Sequence, residues 1–391
     1  MANGTVLVHW TAPDGATHLA GRLTSFGGSD FQRFTYADSW LSGPGFSLGE
    51  GLPLANGALT PPGGATEFGL FRDAAPDAWG RRVAAAKARP APRTGTDFLL
   101  AAADETRQGA LRFQRDGQFL ADGGPEPVTM LRDLLREVEL FQSGDPDTNG
   151  RIVHLLRSGT SQGGFRPKAA VADDRGRLWI AKFPMETDRY DVETCEAAAL
   201  HVARDAGLNV PDFRHIRVDA DNAVLLVARF DRTTGGRLGY QSMRTAMRLG
   251  EDEPYDYQGM AAAAGCLSGT AGRRAIVGAA ALNIAVNNID DHARNLGFLQ
   301  SPDGRWALAP LFDIVPRPIP GAEPTPLHAG EDRSLEQLLD LGWELPRTEV
   351  NDIVTRVTNQ AQLVFRIAQD RYGIDPESAE NAERYVSRFL R

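Results

Sequence analysis

Apolar runs in the first third of the chain are short and punctuated by turn formers, as strands require. Residues 6–10 and 18–23 predict two strands around the turn Pro13-Asp14-Gly15. Residues 43–69 are dense in glycine and proline and predict an ordered surface loop. Residues 79–87 predict a helix with one apolar face, and residues 104–119 paired strands again. The polar stretch 143–150, containing Asp145-Pro146-Asp147, marks a boundary. Beyond it, residues 169–172 and 178–183 flank the turn Asp173-Asp174-Arg175-Gly176 and predict a strand–turn–strand unit. Residues 196–206 predict a helix, ended by Gly207 where a left-handed backbone is needed. Residues 224–230 predict a buried strand. From about residue 256 helices dominate, over 273–286, 334–341, 349–372 and 378–390. The organisation predicted is a strand-rich part (1–145), a mixed part (146–255) and a helical part (256–391). No internal repeat is present.

Composition narrows the class. With 391 residues the chain can bury a sizeable core, and 42% hydrophobic with 24% charged residues is ordinary for a globular protein. A formal charge of -9 argues against a chain whose main work is coating nucleic acid, which needs a basic surface. Cys195 and Cys266 lie far apart, at no metal-ligand spacing, and suit a reducing compartment better than a disulfide scaffold. The N-terminus lacks the basic-then-apolar pattern of a signal peptide, and the apolar stretch 275–286 is too short to span a bilayer. The expectation is a soluble cytoplasmic protein with no membrane partner.

Candidate chemistry begins at Gly159-Thr160-Ser161-Gln162-Gly163-Gly164, just before the strand pair. Glycines let a backbone approach phosphate oxygens and turn successive N–H groups toward them, and the hydroxyls, Arg166 and Lys168 suit the same task. A plain surface loop is the alternative. The segment is not a Walker A motif, because Phe165 stands where the lysine belongs. On the following strand Lys182 lies among Ile180, Ala181 and Phe183. If buried it needs an anionic partner, and Glu196 is the nearest candidate on the next helix. Protein kinases place a phosphate-binding lysine and its glutamate in this order. The alternative is an edge lysine pointing to water.

The most informative segment is Asn287-Asn288-Ile289-Asp290-Asp291-His292-Ala293-Arg294-Asn295. Its side chains pack poorly but make good oxygen ligands. Asp290 and Asn295 stand five positions apart, the separation of the catalytic aspartate and metal-binding asparagine in the kinase catalytic loop. Downstream, Asp313 is the one carboxylate in an apolar run and offers a second magnesium contact. Magnesium keeps several waters, so one aspartate, one asparagine and the nucleotide phosphates suffice. A capped helix C-terminus followed by a solvated turn is the alternative. Zinc is a poorer one, since His292 has no second histidine or cysteine at ligand spacing. His292 could equally bond loop carbonyls.

Taken in order, these motifs resemble the HipA family of serine/threonine kinases, toxins of bacterial toxin–antitoxin pairs. The matching stretches are Gly163-Gly164-Phe165-Arg166-Pro167-Lys168, Ile180-Ala181-Lys182-Phe183-Pro184, Arg229-Phe230-Asp231-Arg232, Asn288 through Asn295, and Phe312-Asp313-Ile314. The first third is similar to that family's N-terminal domain through Leu52-Pro53-Leu54, Phe68-Gly69-Leu70-Phe71 and Pro76-Asp77-Ala78-Trp79-Gly80.

The resemblance implies an α+β, protein-kinase-like fold: a mixed α/β N-terminal lobe, an all-helical C-terminal lobe, and ATP between them. It makes Asp290 the catalytic aspartate, Asn295 and Asp313 the magnesium ligands, and Lys182 the phosphate-binding lysine. It places residues 159–164, Lys168, the hinge Ala228-Arg229-Phe230, and His292 to Asn295 around ATP. Self-phosphorylation in the glycine-rich loop has three candidate hydroxyls, Ser158, Thr160 and Ser161. The implied partners are a helix-turn-helix antitoxin of the HipB type, DNA only through that antitoxin, and a translation-related protein substrate such as an aminoacyl-tRNA synthetase. Two departures stand out: the loop is richer in glycine than that of the best-known toxin, and Ala228 replaces an acidic hinge side chain. The rival readings are a kinase-like enzyme acting on a small molecule and a catalytically silent co-repressor working with an antitoxin.

Overall fold

The computed structural model describes residues 4–26, 30–87, 90–121, 123–144, 151–158, 165–250, 253–316, 324–328 and 333–387. The chain forms two compact units, each assembled from discontinuous stretches. The first comprises residues 1–181, 229–252 and 298–306; the second comprises 182–228, 253–297 and 307–391.

In the first unit six strands form an antiparallel sheet: β1 (Gly4–Thr11), β2 (Thr17–Phe26), β3 (Phe31–Tyr36), β4 (Ala58–Leu59), β5 (Leu111–Arg115) and β6 (Gln118–Phe119). Their order is β4-β3-β2-β1-β5-β6, so β1 lies inside, between β2 and β5. Side chains alternate between faces with period two. Val6, Val8 and Trp10 of β1 therefore enter one core with Leu23, Phe34 and Phe113, while Leu7 is exposed. The loop over residues 43–69 contributes Leu48, Leu52 and Phe68 to this core, and the Tyr36 hydroxyl donates to the Leu52 carbonyl at 2.6 Å. The predicted strand pair forms as Lys168–Ala172 and Leu178–Lys182.

The motif Arg229-Phe230-Asp231-Arg232 builds a buried ionic clamp in the same unit. Asp231 accepts from Arg229 Nε at 2.8 Å, Arg232 Nη1 at 2.9 Å and the Gly109 backbone at 2.7 Å. Arg229 donates onward to the carbonyls of Thr106 and Arg107. Burial by itself would raise the Asp231 carboxyl, but Arg229 and Arg232 outweigh it and hold it well below the usual carboxylate range. A group so depressed contributes stability that is present above its unfolded value near about 4 and lost as pH falls through the lower folded value. Asp231→Asn should therefore cost about 3–5 kcal/mol at neutral pH, because it strands two buried guanidinium groups. In urea unfolding the deficit should shrink as pH falls below about 4, where the unfolded chain's carboxylate takes up a proton that the folded one still refuses. An unchanged midpoint at pH 7 would contradict this reading of the clamp.

In the second unit, strands Phe213–Arg217 and Ala223–Ala228 pair as an antiparallel hairpin. Helix Val192–Asp205 is buried along nearly its whole length, packed by helices Arg347–Ala361 and Val364–Tyr372 and by strand Ala223–Ala228. It starts four residues before the predicted position: the Asp191 carboxylate caps it by accepting from Thr194 N. Gly207 follows its end at φ +76°, a left-handed conformation that other residues adopt at a cost. The helix predicted over 273–286 is the second half of a longer one, Tyr257–Ala285, interrupted at Gly269 (φ +62°). The segment predicted as one helix over 349–372 is two, Arg347–Ala361 and Val364–Tyr372. Strands Gly297–Gln300 and Trp306–Leu308 interrupt the helices of the last third, and α+β describes the whole.

Candidate active site

The polar segment emerges where helix Tyr257–Ala285 stops. Asn287 sits in the left-handed region (φ +51°), its N–H bonding to Ile284 O, and Asn288 N bonds to Asn283 O at 2.8 Å. These are the two hydrogen bonds of a Schellman closure, with asparagine in glycine's usual place. Capping thus accounts for Asn287 but not for the acidic residues beyond it.

The two aspartates part company at once. The Asp290 side chain is 55% exposed, whereas that of Asp291 is 1% exposed. Asp291 accepts from the Tyr257 hydroxyl at 2.6 Å, Thr325 N at 3.0 Å and Arg333 Nη1 at 2.5 Å. Burial and the Asp291 charge both push the Tyr257 phenol well above its ordinary value, so it remains a donor. Asp290 is held through its backbone: its N–H reaches Asn288 Oδ1 at 3.2 Å, and its carbonyl accepts from Asn295 Nδ2 at 2.6 Å. Its carboxylate lies 3.7 Å from His292 Nε2. The aspartate that the five-residue spacing selects is the one presented outward.

Asn295 spends its amide on that carbonyl, and its Oδ1 is buried without a hydrogen-bond donor. A buried amide oxygen in this condition is costly unless a cation or donor meets it. It lies in a pocket lined also by Asn288, Asp291, Leu296, Phe312 and Asp313. Asp313 adopts φ +54°, a backbone conformation that costs a non-glycine residue on the order of 1 kcal/mol. Its carboxylate forms an ion pair with Lys182. Lys182 also donates to Glu196 at 2.5 Å, so the predicted lysine–glutamate pair is formed, buried and joined by a third partner. Burial opposes the charge on Lys182, yet Asp313 and Glu196 outweigh it and hold the ammonium above its ordinary value. Lys182, Glu196, Asp290, Asn295 and Asp313 all belong to the second compact unit. The donor set is all oxygen, which suits magnesium. Among the described residues no cluster of three or more histidine, cysteine or acidic side chains could hold a metal, so a zinc-type cage does not form there.

Other predicted residues take different places. Lys168 is buried in the first unit and donates to Asp77 at 2.8 Å. The Arg229 side chain belongs to the buried clamp. Ala228 N bonds to Asp212 O at 2.8 Å and Arg229 N to Leu178 O at 3.0 Å. Phe230 has its ring 6.4 Å from that of Tyr240. His292 has a buried Nδ1 with no hydrogen-bond partner. Ser158 is fully buried and its hydroxyl donates to His154 O at 2.9 Å. Gly159, Thr160, Ser161, Gln162, Gly163 and Gly164 lie outside the described residues.

Asn288, Tyr257 and Arg333 were not singled out by sequence reasoning. Asn288 Nδ2 donates to Asn283 Oδ1 at 3.0 Å and to the Asp313 carbonyl at 3.4 Å, while its Oδ1 holds Asp290 N. One side chain thus joins the two acidic segments. Only its place inside the polar run hinted at this, and nothing local marks Tyr257 or Arg333.

Residues 160–365 match the HipA-like C-terminal domain, and residues 16–114 match the HipA N-terminal domain. No curated protein matches the chain. Among solved structures, HipA from the Shewanella oneidensis MR-1 toxin–antitoxin system, in complex with HipB and its operator DNA, is similar in fold. It has 18% identity and a TM-score of 0.70, over 98% of this chain and 96% of that one. The Helicobacter pylori proinflammatory kinase CtkA aligns more loosely, with 13% identity and a TM-score of 0.40 over 56% of this chain and 88% of its own. No helix among the described residues is long and apolar enough to cross a membrane. With more than half the chain matched by one family domain and most of the first third by its companion, the protein belongs to the HipA family.

Proposed function

We propose that the protein transfers the γ-phosphoryl group of ATP to a serine or threonine hydroxyl of a protein, using magnesium. The observation that carries this is the unpartnered Asn295 Oδ1 beside Asp313, whose carboxylate is held by the buried Lys182–Glu196 pair. In this reading Asn295 and Asp313 hold the cation, which when bound neutralises charge on the phosphates. Lys182 meets the phosphates through its ammonium, which Glu196 holds in place. Asp290 accepts the hydrogen bond of the incoming hydroxyl and takes its proton as the oxygen attacks phosphorus. The glycine-rich motif at residues 159–164 supports the nucleotide part of this reading.

Membership of the family supports a reading of the biological setting. We infer a cytoplasmic toxin paired with a helix-turn-helix antitoxin of the HipB type, reaching DNA only through it. A translation-related protein, such as an aminoacyl-tRNA synthetase, would be the substrate. A small helix-turn-helix reading frame beside this one would support the pairing.

The metal assignment is tested by titrating magnesium at fixed ATP analogue. Asn295→Ala and Asp313→Ala should each raise the magnesium midpoint by about tenfold or more, since few protein ligands remain. An unchanged midpoint in both variants would remove the assignment.

Self-phosphorylation is expected within the glycine-rich loop. Burial of Ser158 and its bond to His154 O favour Thr160 or Ser161 as the acceptor. A phosphate there adds about -1.5 to -2 charges and would compete with ATP for Lys182. Peptide mapping after incubation with magnesium-ATP, with Asp290→Asn as control, should find the phosphate on Thr160 or Ser161. Phosphate on Ser158, or none on this peptide of the active enzyme, would contradict it.

A further inference from the structure

The Arg333 guanidinium is spread over three acceptors around the catalytic segment. Nη1 donates to the Asp291 carboxylate at 2.5 Å, and Nη2 donates to the carbonyls of Asn283 at 2.9 Å and Asn288 at 2.6 Å. Asn283 lies in the last turn of helix Tyr257–Ala285, where a cation is favoured by the exposed carbonyls and the helix dipole. Asn283 O is also the acceptor of the closing bond from Asn288 N, so Arg333 seals the helix end and the start of the loop together. Asp291 returns the charge. It is fixed in turn by Tyr257 from the start of the same helix, and the Tyr257 hydroxyl accepts from Asn283 Nδ2 at 2.8 Å. The Asp291 carboxylate and the Arg333 guanidinium are both almost wholly buried.

We propose that Arg333 and Asp291 are positioning residues: a buried brace that sets Asp290 and Asp313 through Asn288. This rests on the kinase reading and says how its acidic groups are kept in register. The Asn288 carbonyl is held by Arg333, while its side-chain amide holds the Asp290 N–H and the Asp313 carbonyl. A shift of Asn288 therefore moves both the proton acceptor and the metal-side residue, while Lys182 keeps Glu196 as its buried partner. A lysine cannot replace Arg333, because one ammonium does not reproduce the planar fork that spans a carboxylate and two carbonyls.

The test is Arg333→Lys in the full chain, read two ways. Hydrogen exchange of peptides covering residues 286–296 should speed up, with the first half of helix Tyr257–Ala285 unchanged. Turnover should fall by at least about tenfold while KM for ATP moves by less than about threefold, as expected when alignment rather than nucleotide binding is lost. Asp291→Asn, which keeps one of the two acceptor oxygens but drops the charge that Arg333 meets, should give the same pattern and serves if Arg333→Lys fails to fold. Unchanged exchange over 286–296, or acceleration spread evenly across the second unit, would overturn the brace. Wild-type protein with no phosphoryl transfer would instead bring down the kinase reading, and the exchange measurement would still decide the brace.

Discussion

Asp290→Asn should lower phosphoryl transfer by about 10²–10⁴-fold, the usual worth of a positioned general base, and leave the fold intact. The replacement is isosteric, and the Asp290 side chain is more than half exposed. The contacts that fix the residue are made by its backbone to Asn288 and Asn295, and these survive the change. A stability change within about 0.5 kcal/mol is therefore expected. Nucleotide binding should persist, since Lys182 and the magnesium-side groups are untouched. Asp291→Asn should behave differently, with a stability loss as well as slower turnover, because its carboxylate is the buried partner of Arg333. Near-wild-type turnover in Asp290→Asn, with Asp291→Asn inactive, would mean that the roles of the two neighbours are exchanged.

Lys182→Ala should be costly in both folding and chemistry. It leaves the Glu196 carboxylate buried without its cation and Asp313 without the group that now engages it. Breaking a buried pair from one side costs about 3–5 kcal/mol, and here two carboxylates lose the same partner. Since the Lys182 pKa is raised on folding, its contribution is fully present below its unfolded value of about 10.4 and is lost only as pH rises through the higher folded value. The stability gap between wild type and variant should then be flat from about pH 6 to 9. Turnover should fall by at least about 10²-fold, the scale for removing one preorganised charge-stabilising donor. Chemical denaturation across that pH range, with parallel turnover assays, checks both parts. A variant as stable as wild type would mean that the trio is not the buried network described above.

The features legible in the sequence were those that depend on near neighbours. Strand periodicity, the turn at residues 173–176 and the five-residue spacing of Asp290 and Asn295 are all local. The lysine–glutamate pair is nearly so, with 14 positions between its partners. Contacts over long separations stayed hidden. Lys168 reads as a phosphate-loop cation from its place beside the glycines, whereas its partner Asp77 comes from 91 positions away. Arg229 sat in a hinge motif, yet its acceptors include carbonyls more than 120 positions earlier in the chain. The burial of Asp291 was not legible, because the groups around it, Tyr257, Thr325 and Arg333, arrive from 34 to 42 positions away on either side. The two compact units are likewise woven from separate stretches, an interleaving that a linear reading of composition has no means to express. Capping chemistry was among the local signals missed: Asp191 ahead of Val192-Glu193-Thr194 carries the N-cap pattern, and it sets the start of the helix that bears Glu196.

The central claim is phosphoryl transfer from ATP to a protein hydroxyl, and the most direct measurement tracks the label from γ-labelled ATP. Incubated with magnesium, the wild-type protein should release ADP and carry label on serine or threonine, of itself or of an added protein substrate. The label should vanish when magnesium is chelated and in Asp290→Asn. Release of AMP and pyrophosphate, transfer of label to a small molecule alone, or no consumption of ATP would contradict it.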